Sequence, residues 1–314
     1  GFTTFDFRTE HLMRIGVAAT PEVAIPTLEW LVASEHDLVV VITQPDKPAG
    51  RGRNLKQSVV ADWAVAQGIS VVKPATSDDL IGVINELDCV VTIGYGVLLP
   101  QHILDLPKHG FINLHFSLLP AYRGAAPAQR ALLNGEEITG VSVFQLEKGM
   151  DTGPIYTTRA LSISPEWRSF ELLQALAQLG PSVVGEALAM IAQNKAPSPQ
   201  QGTASVAAKI SKQDAQLNFN QSAQTLVNAI RAFTYEPGAW CNWKNEPFKI
   251  TKARSVEYHA LKPGCITVDG QRVIVGCVNN TAIELISVVP AGKKEMPAAD
   301  WARGARLQGG ENFG

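Results

Sequence analysis

Asn113 and His115, in the stretch "FINLHFSLLPAYRG" (111–124), are residues suited to chemistry inside what reads as a core strand. In an extended strand, residues two apart project to one face, so the amide and the imidazole point together. Asparagine can offer an N–H to a developing oxyanion. Histidine beside a carboxylate can be cationic near neutral pH and donate a second bond or a proton. A core His and Asn satisfied by their neighbours would give the same spacing. Two features favour chemistry. The apolar "SLLP" turn (117–120) stops the strand at once, and "GMDTGP" (149–154) supplies Asp151 in a Gly-flanked loop after another strand. Asp151 could also cap its own turn. Beside the imidazole it would complete an Asn–His–Asp set suited to acyl transfer by direct attack, with the carboxylate taking a proton from an amine, directly or through water.

Other chemistries lack their residues. Ser117 lies close, but no G-x-S-x-G elbow surrounds it. The histidines (His11, His36, His102, His109, His115 and His259) show no metal-ligand spacing. Neither a covalent intermediate nor a metal is expected. The first strand runs into "GVAATPE", where only Gly16 stands for the glycines of a dinucleotide-binding turn, and the Walker pattern is absent.

A second constellation is "TQPDKPAGRGRNLK" (43–56). It carries Lys47, Arg51, Arg53 and Lys56 against one acid, Asp46. It is too rich in Gly and Pro for a helix and too polar for core. It reads either as a mobile solvated loop or as a flexible basic arm that contacts phosphates, with arginine suited to bidentate bonds.

The elements that must position these groups alternate. Runs at 14–19, 38–43, 69–73, 89–93 and 111–115 are nearly continuously apolar, as parallel strands covered on both faces are. Helical patterns fall at about 22–34, 57–67, 78–86 and 100–106. The alternation predicts a doubly wound, mostly parallel α/β sheet, with Asn113 and His115 at a strand's carboxyl end, where ligand crevices open. A helix near 126–134, strands at 141–146 and 154–162, and a long helix at 168–193 bending at Gly180-Pro181 complete this half. "NKAPSPQQGTAS" has the composition of a linker. After it come one helix (223–233) and short β runs separated by turn residues, which suggest a small antiparallel barrel or sandwich.

The 314 residues, 46% of them hydrophobic, suffice for two domains. The net charge of −2 hides an asymmetry. Residues 1–204 carry 14 Lys/Arg against 20 Asp/Glu, and residues 205–314 carry 13 against 9. A polyanionic partner for the second half and ordinary surface variation both fit this pattern. Cys89, Cys241, Cys265 and Cys277 are scattered and read as reduced thiols of an intracellular protein. No apolar run approaches the ~20 residues of a membrane span. Residues 1–12 lack the pattern of a signal peptide and are expected to be a remnant foreign to the natural chain, which would start at Met13.

From Met13 to the closing "GARLQGGENFG" the chain resembles the methionyl-tRNA formyltransferases. The segments that carry the likeness are "QPDKPAGRG", "INLHFSLLPAYRGAAPAQRALLNGEEITGVSVFQLEKGMDTGPIY" and "NAIRAF…PGAW". The central block is shared with other users of 10-formyltetrahydrofolate, among them sugar-nucleotide formyltransferases, so it speaks for formyl transfer more than for the acceptor. The resemblance implies a Rossmann-like catalytic domain at 13–193, a linker at 194–208 and an OB-like tRNA-binding domain at 209–314. It implies that Asn113, His115 and Asp151 are the catalytic trio. It further implies that Ser117, Leu118, Leu119 and Pro120, with Tyr95 and Gly96 of "IGYGVLLP" (93–100), bind the folate, and that Arg51, with Arg53 and Lys47, meets the tRNA. The reaction implied is attack of the α-amine of initiator methionyl-tRNA on 10-formyltetrahydrofolate, with His115 held cationic by Asp151. The expected protein is a cytoplasmic monomer without metal or membrane. The alternatives are a small acceptor, such as a sugar nucleotide or water, or a non-catalytic RNA-binding protein. The chain departs from the family at Thr234-Tyr235, where an Asn-Pro pair is usual, and at Ala19-Thr20-Pro21, where Gly-Thr-Pro is usual.

Overall fold

The computed structural model describes residues 12–314; the expectation for residues 1–12 lies outside them apart from Leu12, which is exposed. The chain forms two compact units that interleave in sequence. One gathers the chain up to residue 125 with 138–162 and 173–207; the other gathers 126–137, 163–172 and 208–314.

The elements of the first half follow the expected alternation. They are β1 (Arg14–Ala19), α1 (Ile25–Ala33), β2 (Asp37–Ile42), β3 (Lys47–Ala49), β4 (Asn54–Lys56), α2 (Val59–Ala66), β5 (Ser70–Val72), α3 (Ile81–Ile84), β6 (Cys89–Ile93), α4 (Gln101–Leu104) and β7 (Phe111–His115). Next come β8 (Arg123–Gly124), α5 (Pro127–Leu133), β9 (Ile138–Gln145), β10 (Ile155–Ser162), α6 (Ser169–Ala192) and β11 (Val206–Ala207).

Seven strands of the first unit form one sheet in the order β10-β9-β7-β6-β1-β2-β5. β5, β2, β1, β6 and β7 run parallel, and β9 and β10 close one edge antiparallel. The central strands are mostly apolar because both faces are covered: β6 is buried along its length. Chain order reverses at β1, with β2 on one side and β6 on the other. Ligand crevices of open sheets lie at such a reversal, outside the carboxyl ends. There the Thr20-Pro21 turn and the turn after β6 pack together. A Cβ on Gly94, whose φ is +57°, would fall 2.6 Å from Pro21 Cγ, so only glycine fits.

Two segments depart from the sequence reading. Residues 47–56 are an antiparallel hairpin, β3 on β4, rather than a structureless arm. Strands of three residues are too short to leave a period in the sequence. The stretch expected as a linker is bonded to the first unit: β11 pairs parallel with β8, and Ile155 and Ser198 exchange backbone bonds.

α6 continues through Gly180-Pro181. Gly180 is needed there, since a Cβ would lie 2.3 Å from Thr27 Oγ1 and 3.0 Å from Leu114 Cδ2. By length and composition alone α6 could cross a membrane, which corrects the expectation that no segment would qualify. Of its most apolar window 44% is buried in the molecule, with Leu176, Val183 and Leu188 in the core.

The second unit contains α7 (Ala223–Phe233), β12 (Trp240–Trp243), β13 (Glu246–Glu257), β14 (Ile266–Asp269), β15 (Arg272–Gly276), β16 (Thr281–Val289), β17 (Met296–Pro297) and α8 (Ala298–Ala305). Its sheet is antiparallel, in the order β12-β13-β16-β15-β14, with β17 beside β16. Register shifts between Ile250 and Ala253 mark bulges, which bend and twist a strand. Phe248, Trp301 and Phe313 pack ring on ring inside, with centroids 4.7–5.9 Å apart. The unusual Thr234-Tyr235 pair is satisfied here. Thr234 is buried, donates from Oγ1 to Ile230 O and accepts from Ser169 Oγ, and Tyr235 stacks on Phe170.

Candidate active site

β7 alternates as its sequence predicts. Leu114 faces α6, and Asn113 and His115 lie on the opposite side. Register sets Asn113 beside Thr92 of β6, and Asn113 Nδ2 donates to Thr92 Oγ1 at 2.7 Å. That bond uses one amide N–H and fixes the orientation of the other. His115 is 7% exposed. Its Nε2 donates to the Tyr122 carbonyl at 2.8 Å, which sets the tautomer and turns the Nδ1 lone pair toward Asp151 Oδ2, 3.7 Å away. Phe144 of β9 meets the ring edge-on.

Asp151 comes from the loop between β9 and β10. Its backbone is left-handed, with φ +56°, and its Oδ2 accepts from Gly124 N at 2.7 Å. The structure therefore brings Asn113, His115 and Asp151 to one strand end. The direction of the histidine's pKa runs against the cation expected from the sequence. Burial pushes the His115 pKa below its ordinary value of 6.5, and the opposing pull of Asp151 and the Tyr122 carbonyl does not restore it. That direction favours a neutral resting imidazole.

The "SLLP" turn is a buried support more than an open wall. Ser117 and Leu119 are buried, and Ser117 Oγ donates to Ala121 O at 2.6 Å. Ser142 Oγ donates to Ser117 O and accepts from Leu119 N, tying the turn to β9. Leu118 packs over Gly140, while Leu119–Pro120 is a cis bond. The Tyr95 ring lies in the core with Ile42, Leu104 and Phe111; only its carbonyl works at the crest, accepting from Gln44 Nε2 at 2.7 Å. Gly96, with φ +75°, leaves room for that glutamine. Next to it Leu98 is 88% exposed, an unsupported apolar side chain beside the crevice end of β6.

Lys47, Arg51 and Arg53 are exposed on the hairpin, not at the trio. Lys47 sits directly opposite Lys56 in the ladder. Among the described residues no group of three or more His, Cys, Asp or Glu could hold a metal. A cavity of about 530 Å³ opens at the amino end of β7, lined by Lys108, Gly110, Gln145, Tyr156 and Lys195. It is remote from the trio's end of the strand.

Sequence reasoning missed Thr92, the Tyr122 carbonyl, the Gly124 amide and Gln200. Only Thr92 had a signal, a hydroxyl within the buried run "CVVTI".

The doubly wound sheet, with its antiparallel companion unit, defines a class that the comparisons name. Residues 13–188 match the formyl transferase model, and residues 209–306 match the model of the formyl transferase C-terminal domain. The chain belongs to the formyl transferase family and is a formyltransferase enzyme. More particularly, it is similar over nearly its whole length to methionyl-tRNA formyltransferases. It is 44% identical to the enzyme of that name from Thermobifida fusca over 309 residues, covering 96% of this chain and 99% of that one. In fold it is similar to an N-formyltransferase from Helicobacter canadensis, solved with folinic acid and dTDP-3-aminofucose. That match has a TM-score of 0.67 and 19% identity over 87% of this chain and 98% of that chain. It is also similar to HypX from Aquifex aeolicus, solved with tetrahydrofolic acid, with a TM-score of 0.65 and 17% identity over 93% of this chain and 47% of that chain.

Proposed function

We propose that the protein transfers the formyl group of 10-formyltetrahydrofolate to the α-amine of methionine on initiator methionyl-tRNA. The observation that carries the chemistry is the facing of His115 and Asp151, from separate segments and 3.7 Å apart, two residues along β7 from Asn113. The acceptor rests on 44% identity across nearly the full length of a methionyl-tRNA formyltransferase.

In this reading the neutral amine attacks the formyl carbon, and the carbonyl oxygen becomes an oxyanion. The free N–H of Asn113, oriented by Thr92, donates to it. The amine proton passes to His115 Nδ1, which is unprotonated at rest. The imidazolium so formed is stabilised by Asp151 on one side and the Tyr122 carbonyl on the other. Burial keeps the base free beforehand, and the carboxylate stabilises the cation only when it forms. The same proton then goes to the departing nitrogen of tetrahydrofolate as the tetrahedral adduct collapses. No covalent enzyme intermediate is needed.

The folate lies against the backbone of 93–100, exposed Leu98 and the edge of Leu118. The hairpin and the basic stretch 205–314 meet the tRNA. Two lysines directly opposite across β3 and β4 repel each other unless an anion lies between them. The protein works as a monomer in the cytoplasm. The test is transfer from 10-formyltetrahydrofolate by the purified protein. Charged initiator tRNA should be formylated, while uncharged tRNA, free methionine and an amino-sugar nucleotide should not. Formylation of the sugar nucleotide in preference to the tRNA would overturn the acceptor.

A further inference from the structure

The segment 198–207 follows α6 and bonds to Tyr122 and to the Asp151 loop. It touches both partners of His115. Ser205 Oγ accepts from Tyr122 N at 2.8 Å, and Ser205 N and O bond Pro120 O and Arg123 N. Tyr122 is the residue whose carbonyl holds the imidazole. On the other side, both N–H groups of the Gln200 amide are used on the Asp151 loop, donating to Asp151 O and Gly153 O, each at 2.8 Å. The Gln200 oxygen receives Nε and Nη2 of Arg123 at 3.2 and 2.8 Å. The residue after Arg123 is Gly124, whose N–H binds the Asp151 carboxylate.

These bonds close a ring: Gln200 holds the backbone of Asp151, Arg123 holds Gln200, and Gly124 holds the Asp151 side chain. The ring surrounds a residue that needs holding. A non-glycine residue with positive φ persists only where its surroundings over-determine it, and Asp151 has φ +56°. The loop also has no slack at Gly153, where a Cβ would overlap the Gln145 carbonyl oxygen.

We infer that Gln200 is a positioning residue for the transfer reaction, setting Asp151 against His115 from a segment outside the trio's own loops. The inference rests on His115 and Asp151 being the proton-handling pair. Gln200 touches no reacting atom. It acts by keeping a carboxylate within reach of an imidazole, where a displacement near 1 Å can cost about 10²-fold in rate.

The test is Gln200→Glu, which keeps size and the pairing with Arg123 but replaces the two donors with oxygen facing two carbonyls. We expect kcat to fall roughly 10- to 100-fold, with KM for the folate and for the tRNA each within about threefold of wild type. In an Asp151→Asn background the same change should cost less than about threefold, because a residue that acts through Asp151 has nothing left to position. A loss confined to KM, or one that multiplies fully with that of Asp151→Asn, would overturn the inference. Should Gln200→Glu fail to fold by circular dichroism, Arg123→Lys keeps charge but gives up the two-pronged hold on Gln200. It should lower kcat in the same sense and likewise add little to Asp151→Asn; unchanged kcat would count against the inference. Failure of the underlying reading looks different: Asp151→Asn alone would then be as active as wild type.

Discussion

Around His115 almost every polar atom has a partner: Thr92 on Asn113, the Tyr122 carbonyl on the imidazole, Gly124 on Asp151, Gln200 behind the loop. Around Arg51 the reverse holds. All six residues of β3 and β4 are exposed, and among the described residues the side chains of Lys47, Arg51, Arg53 and Lys56 make no hydrogen bond or ion pair. Both regions follow carboxyl ends of parallel strands in one sheet. In the proposed reading the difference is what each must do. Proton transfer and oxyanion binding need groups held to a fraction of an ångström in a dry site, where electrostatics is strong. Contact with a long polyanion needs charge at the end of adaptable side chains, and its strength comes from counterion release rather than fit. Buried and bonded residues should govern kcat, and exposed basic ones KM for the tRNA.

The contrast breaks first at Asn113. Asn113→Ala should lower kcat by roughly 10²–10³ with the tRNA KM little changed; an equal effect on both would erase the distinction between the regions. Arg51→Ala should do the opposite. It should raise KM for the tRNA by about tenfold and reduce the log–log salt slope by about one, leaving the folate KM alone. Equal effects on both substrates would move Arg51 to the folate side.

A smaller effect concerns charge. NMR titration of the His115 imidazole should give a midpoint below 6.5, since burial lowers it. Asp151→Asn removes the raising influence and should move the midpoint lower still. Because the native pKa lies below the unfolded one, the associated stability is present above pH 6.5 and lost as pH falls through the native value. A midpoint above neutral pH would restore the resting cation. The smallest effect is a control on the face of β7 opposite Asn113 and His115. Thr27 Oγ1 is buried with no partner among the described residues, so Thr27→Val should raise stability by about 1 kcal/mol in chemical unfolding without changing kcat.

Most of the sheet was legible because strands covered on both faces must be apolar throughout. Asn113 and His115 were legible as polar exceptions at period two, and Asp151 as an acid in a Gly-flanked loop. The hairpin was not, since Pro48, Gly50 and Gly52 mask two strands of three residues each. Nor were the groups that hold the trio. The Tyr122 carbonyl and the Gly124 amide are backbone, which every residue offers. Gln200 reaches Asp151 across 49 positions of chain, and its Pro- and Gln-rich surroundings have the composition of a linker. The direction of the His115 pKa was not legible either, because it is a balance between a carboxylate, visible in the sequence, and depth of burial, which is set only by the folded chain.

The central claim is that His115 rests neutral and takes the amine's proton with Asp151 behind it. Single-turnover formyl transfer from 10-formyltetrahydrofolate to methionyl-tRNA, wild type against Asp151→Asn at saturating substrates, tests it most directly. The account predicts a rate lower by roughly 10²–10⁴ in the variant, with the binding of both substrates within a few-fold of wild type. A variant that transfers formyl at the wild-type rate would contradict it.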